Sequence, residues 1–263
     1  MRFYINIIKN AMQIQLAYRS SVWIKLLSKM LFLYVQVEVW RGFYASNIGV
    51  SLEKGLEETI AYVVASCLIS GFVDFATIEY VNSRIRTGDI IIDLMRPVNY
   101  ILYVFCYNFG KVLMTILFYT IPLLILGICL GFHLPNIINI FSVLLMVIAA
   151  MIINFLFSYI IGILAVWFRV TWPINMAMRA IHKLLSGAWI PIWLFPDILK
   201  RITSCFPFQY IYYAPAYILS KEKIIFSEFV ILFITQIIWI FILSGITALI
   251  WFYAKKRLDV QGG

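Results

Sequence analysis

An all-α integral membrane fold with six transmembrane helices is what this sequence predicts, on three observations. Hydrophobic residues fill 63% of the 263 positions and charged residues only 13%, with a mean hydropathy of +0.95, whereas water-soluble domains run nearer a quarter charged. Apolar stretches recur that exceed the roughly 20 residues a helix needs to cross a hydrocarbon core about 30 Å thick. These stretches are continuous, unlike the short alternating segments of an outer-membrane barrel. No polar stretch is large enough to fold in water and no internal repeat is visible, so residues 1–263 read as a single transmembrane domain.

Residues 1–20 place Phe3, Ile7, Ile8, Met12 and Leu16 at helical spacing, with Arg2, Lys9, Gln13 and Arg19 elsewhere. That is the pattern of an amphipathic helix lying in the membrane surface. The same residues lack the uninterrupted apolar run and small-residue cleavage site of a secretory signal. Apolar spans follow at 22–44, 58–81, 98–131, 137–169, 173–195 and 224–254. The third and fourth exceed a perpendicular crossing and are expected to tilt or protrude into water. Six crossings put both termini on one side. Of the 21 Lys and Arg residues, 14 fall on the side of the termini, six on the other, and Lys111 inside a span. Basic residues concentrate on the cytoplasmic face, so both termini are expected there. The same bias explains the net charge of +9 without a nucleic-acid partner.

Two connecting stretches stand apart. On the cytoplasmic side, 84–97 sets Arg84, Arg86, Asp89, Asp93 and Arg96 around Ile90, Ile91, Ile92, Leu94 and Met95. This predicts a short helix with an apolar ridge, started by Thr87 or Asp89 and ended by Pro97. Such a helix suits a groove on a partner or a bed of lipid headgroups equally well. On the outer side, Pro191, Pro196, Pro207 and Pro215 cut 184–219 into pieces too short to span. Breaks at membrane depth are tolerated only where neighbours or a water-lined cavity satisfy the freed backbone. A loose loop with this many aromatic residues would expose a large apolar patch, so the segment is expected to form an outer gate.

Catalytic constellations are missing from the sequence. The one Gly-Lys pair, Gly110-Lys111, has Phe105 where a phosphate-binding loop needs its first glycine, so the chain is expected to bind no nucleotide. His133 and His182 stand in no metal-ligand spacing, and no G-x-S-x-G elbow occurs. Cys67, Cys106, Cys129 and Cys205 are scattered and read as packing residues. No cofactor and no metal is expected. Charges inside spans cost about 2.5–3.5 kcal/mol each on insertion scales, which makes Glu38, Asp74, Glu79 and Lys111 worth tracking. Glu38 and Arg41 form a same-face pair. Asp74 or Glu79 is expected to pair with Lys111, with a substrate or proton site as the alternative.

Three stretches taken together, RTGDIIIDLMRPVNY (86–100), LLSGAWIPIWLFPDILKRITSCFPFQYIYYAPAYIL (184–219) and YAKKRLDVQGG (253–263), resemble ABC-2 type permeases. These are membrane subunits of bacterial ABC exporters, and the likeness is to the viologen- and multidrug-export branch. The resemblance implies an interfacial helix over 1–20, six membrane helices, a coupling segment at 84–97 and re-entrant outer helices over 196–222. It implies a bacterial cell membrane, a second permease that is identical or a sister chain, and two ABC ATPase subunits that bind the ATP and magnesium. Arg84, Arg86, Asp89, Ile90, Ile91, Asp93, Leu94 and Arg96 would then couple to the ATPase. Trp189, Pro191, Trp193, Phe195, Pro196, Phe206, Phe208 and Tyr212 would form the outer gate. The cargo implied by apolar, aromatic-rich walls is an amphiphile such as a drug, lipid-like molecule or peptide. The alternative is a secondary or channel-like transporter that needs no ATP; a scaffold or enzyme is disfavoured by the missing constellations.

Overall fold

Regular structure is helical throughout the residues that the computed structural model describes, which are 2–17, 19–46, 54–73, 76–168, 172–221 and 225–261. Helix α1 (Arg2–Ala17) lies along α6 (Tyr100–Thr115) and buries Ile7 and Ala11. The approach is close because residue 110 is glycine: a β-carbon there would stand 2.6 Å from the Ile8 carbonyl oxygen and 2.9 Å from the Ala11 β-carbon. Helix α2 (Arg19–Ala45) follows as one piece.

The stretch 58–81 differs from the single span that its hydropathy suggests. It is two helices, α3 (Leu56–Ile69) and α4 (Ala76–Arg86), with a turn beginning at residue 70. At that turn the Ser70 hydroxyl donates to the Cys67 carbonyl, and the Lys29 ammonium donates to the Ser70 carbonyl and hydroxyl. Hydropathy averages over a window and is blind to a polar turn of a few residues. After α5 (Ile90–Leu94), α6 runs through a π turn at Ile116–Thr120 into α7 (Ile121–Cys129). Pro122 supplies the cause, because it lacks the amide that would bond one turn back and its ring crowds that carbonyl.

Helix α8 (Ile137–Ile163) is the centre of the domain and packs against α4, against α11 (Tyr213–Ser220) and against α12 (Phe226–Gln261). Its two ends meet different segments. Near its start Asn139 donates to the Lys221 carbonyl, and near its finish Gly162 receives Val81 and Ile78 of α4. These two contacts are about 35 Å apart at 1.5 Å per residue. Residues 84–97 therefore sit at one end and the 186–221 segment is anchored at the other. Gly127 of α7 likewise admits Val64 of α3, whose γ-carbon would be 2.5 Å from an added β-carbon. Small residues set such crossings because lipid offers no hydrophobic drive between helices, and close van der Waals contact must replace it.

Among the described residues, three helical stretches are long and apolar enough to cross a membrane, Tyr100–Cys129, Asn139–Val166 and Phe226–Leu258. The fifth span expected from hydropathy is shorter than 173–195, since α9 (Trp172–Leu185) ends at a turn where Gly187 adopts a φ of +78°. At about 21 Å, α3 and α9 each reach only part of the way through a hydrocarbon core. The return segment begins at residue 186 and contains α10 (Asp197–Ser204) and α11 joined by single 3-10 turns.

Candidate functional site

At the 84–97 end, the sequence builds a charged turn on an apolar base. Gly88 sits at φ +79°, a left-handed conformation that lets the chain reverse between α4 and α5. Arg84, in the last turn of α4, reaches across the reversal: its Nε donates to Asp93 Oδ2 at 2.7 Å and its Nη1 to Asp89 Oδ2 at 3.1 Å. The Thr87 hydroxyl donates to the same Asp89 oxygen at 2.8 Å. Arg96 Nη1 stands 3.8 Å from Asp93 Oδ1, and its guanidinium lies over the Tyr103 ring. The hydrogen bond to Asp93 raises the Arg84 pKa above its ordinary value despite partial burial. Asp93 is buried, and a buried carboxylate is stable as an ion only when paired in this way.

The eight residues expected to couple thus divide into two sets. Ile90 is fully buried, Arg84 and Asp93 form the internal latch, Asp89 belongs to it, and Leu94 packs against the core. Arg86, Ile91 and Arg96 face outward, joined by Ile92 and Met95, which are the most exposed apolar side chains of the turn at 57% and 80%. The ridge is therefore Ile91, Ile92 and Met95, not Ile90 and Leu94. A five-residue helix can turn only about half its circumference outward, and α5 spends the other half on the core. The outward set forms an apolar tip rimmed by two arginines, a composition suited to association.

Beside the turn lies a cavity of about 590 Å³ between α4 and α9, lined by Arg86, Asn82, Asn175 and others. Glu79 and Arg179 meet across it at 2.6 Å. This corrects the expected pairing of Glu79 with Lys111. The next residue on α4, Tyr80, is the one that faces α6, hydrogen-bonding Tyr103 and packing on Tyr107. Neighbouring residues on a helix project about 100° apart, so Glu79 is turned away from α6. The Lys111 ammonium lies instead 4.5 Å from the Tyr107 ring. Asp74 lies outside the described residues. Glu38 and Arg41 do pair, at 2.7 Å, and Arg41 also donates to the Leu130 carbonyl.

At the opposite end the broken segment is tied down. The Tyr62 hydroxyl of α3 donates to the Gly187 carbonyl at 2.7 Å, and Ser66 donates to the Ala188 carbonyl. Glycine is required at 187 both by its positive φ and because an added β-carbon would stand 2.8 Å from that hydroxyl oxygen. Trp193 packs edge-on against Tyr62 and, with Pro191, Phe195, Phe208 and Tyr212, is buried. Trp189, Pro196 and Phe206 are exposed. Lys54 lies over the Trp193 and Tyr217 rings at 4.5 and 4.3 Å, and Lys221 lies over Tyr217 from its own side while pairing with Glu228. Burial lowers the Lys54 pKa. Lys221 is also partly buried, but Glu228 and Tyr217 outweigh that effect and raise its pKa.

Sequence reasoning missed Arg179, Tyr62 and Gln236. Gln236, wholly buried on α12, donates to the carbonyls of Met146 and Tyr210 and so joins α12 to α8 and to the return segment. A glutamine inside the apolar run of this helix was a usable signal, because a buried amide in an apolar setting must find partners. Among the described residues no group of three or more His, Cys, Asp and Glu could hold a metal ion.

A family model described as ABC-2 family transporter protein matches residues 24–262. No curated protein matches the chain.

Proposed function

Because this chain belongs to the ABC-2 family of transporter proteins, we propose that it is the permease subunit of an ATP-driven exporter, coupled to its ATPase through the turn at 84–97. Family membership implies a membrane transport protein that works with an ABC ATPase. The finer reading is that two ATPase copies and a second permease, identical or a sister chain, complete the machine in a bacterial cell membrane. It includes six crossings, with α3 joined to α4 as the second and α9 joined to the return segment as the fifth, both termini cytoplasmic, and residues 186–221 as the outer gate. The cargo is an amphiphile.

One observation carries this reading: an exposed apolar tip, Ile91, Ile92 and Met95, stands on a turn latched internally by Arg84, Asp89 and Asp93. A rigid base under an exposed contact suits transmission of force from a partner. The test is co-purification of the ATPase with the tagged chain from its native membrane, comparing wild type with Ile92→Ser/Met95→Ser and with Arg86→Glu. All three side chains point outward, so the variants are expected to fold and to lose the ATPase together with ATP-dependent transport. Undiminished ATPase recovery and transport in both variants would reject the turn as the coupling contact. Transport that persists in ATP-depleted vesicles on an ion gradient would favour the ATP-independent alternative.

A further inference from the structure

Another cavity, of about 490 Å³, lies among α2, α3, the α6 and α7 pair and α9. Its upper boundary is the tip of the return segment, Ala188 and Trp189 with Tyr212. Four cations line it: Lys25 and Lys29 from α2, Arg179 and Lys183 from α9. No carboxylate lines it among the described residues. Two acids of the second span are available in principle, Glu79, which pairs with Arg179, and Asp74. Even with both assigned to the four cations, two positive charges remain. Ionisable groups at membrane depth persist where they face a cavity and meet an opposite charge.

The remaining walls are of another kind. Phe32, Tyr119, Leu123 and Trp189 supply aromatic and apolar surface, with the Lys183 ammonium 5.6 Å from the Trp189 ring and Lys29 5.3 Å from that of Tyr119. Lys29 is held by Ser70 at the break between α3 and α4, so the broken span places one cation of the site. The volume falls within the range of small-molecule sites, about 300–1,000 Å³.

We propose that this cavity binds an anionic amphiphile, a molecule with a phosphate- or carboxylate-type head held by Lys25 and Lys183 and an apolar body against the aromatic wall. That the bound molecule is cargo rests on the permease reading above; that it binds does not, because binding is a property of the chain alone. Opening of the return segment at Trp189 and Tyr212 would then release it on the far side.

The experiment is equilibrium binding of radiolabelled dodecyl phosphate to the purified full chain in phosphatidylcholine nanodiscs, with no ATPase present. Saturable binding is expected. Lys25→Gln and Lys183→Gln are each expected to weaken it roughly tenfold or more, as loss of a hydrogen bond to a charged group does. Lys25→Arg/Lys183→Arg is expected to retain binding, and Lys256→Gln, at the far end of α12, to leave it unchanged. Competition by phosphatidylglycerol placed in the nanodisc would assign the site to a membrane phospholipid. Competition only by added dodecyl phosphate would assign it to an amphiphile arriving from water. Three results overturn the proposal: full binding by folded Lys25→Gln/Lys183→Gln, equal displacement by dodecyltrimethylammonium, or equal displacement by inorganic phosphate. The last two are read on wild-type protein, so they decide the matter even where a glutamine variant fails to fold. Failure of the wild-type chain to recover an ATPase from its native membrane, with dodecyl phosphate binding intact, would count against the permease reading alone.

Discussion

Replacement of Arg84 by methionine tests whether the coupling turn is held by charge. In wild type the Asp93 carboxylate is 1% exposed and its near partner is Arg84, 2.7 Å away and 26% exposed, while Arg96 stands at 3.8 Å. Removing one partner of a buried ion pair typically costs about 3–5 kcal/mol, because the other charge is left without compensation. Arg96 remains near Asp93, so the lower end, about 3 kcal/mol, is expected for Arg84→Met. Asp93→Leu is milder, about 1–2 kcal/mol, since Arg84 keeps Asp89 and some contact with water. With both charges removed the penalties should not add, and the cycle Arg84→Met, Asp93→Leu and the double variant is expected to show a coupling of about 1–3 kcal/mol. Arg84→Lys should fall between, because an ammonium cannot hold Asp89 and Asp93 with two arms of a rigid fork. The assay is reversible denaturant unfolding of the purified chain in mild detergent, with ATPase co-purification measured on the same variants. Additivity within about 0.5 kcal/mol would refute the latch, and would leave the ordered turn without the cause assigned to it.

Four further outcomes follow from the packing and topology. In a background with its four cysteines replaced, Met95→Cys and Asn136→Cys, at opposite ends of α8's length, should react with an impermeant thiol reagent from opposite faces; labelling of both from one face would overturn the assigned topology. Gly110→Leu should separate α1 from α6 and cost about 1–3 kcal/mol, read as a lower melting temperature. Gln236→Leu loses two hydrogen bonds to carbonyls and should destabilise by about 1–2 kcal/mol, with protease cutting the 186–221 segment faster than in wild type. Glu79→Gln should weaken the tie between α4 and α9 by less than about 1 kcal/mol, because the carboxylate is 69% exposed in the described structure.

The sequence by itself determined the helical class, the membrane setting and the approximate positions of three long apolar helices, because composition and continuous hydropathy are properties of each segment alone. It also located the turn at 84–97 and the proline-broken segment after α9, since Gly88, Pro191, Pro196 and Pro207 act on their own backbone. The local pair Glu38 and Arg41 was legible for the same reason: three residues along one helix fix the geometry. What tertiary structure decided lies between segments. That Ile90 and Asp93 turn inward while Ile92 and Met95 turn outward depends on which side of a five-residue helix meets the core. That Glu79 pairs with Arg179 and not with Lys111 depends on the rotation of α4, which Tyr80 sets by packing on α6. The cavity of four cations joins residues from α2 and α9 that are some 150 positions apart in sequence. Its charge is written in the sequence, but its concentration in one place is not, because side chains distant along the chain are brought together only by the packing of helices against one another.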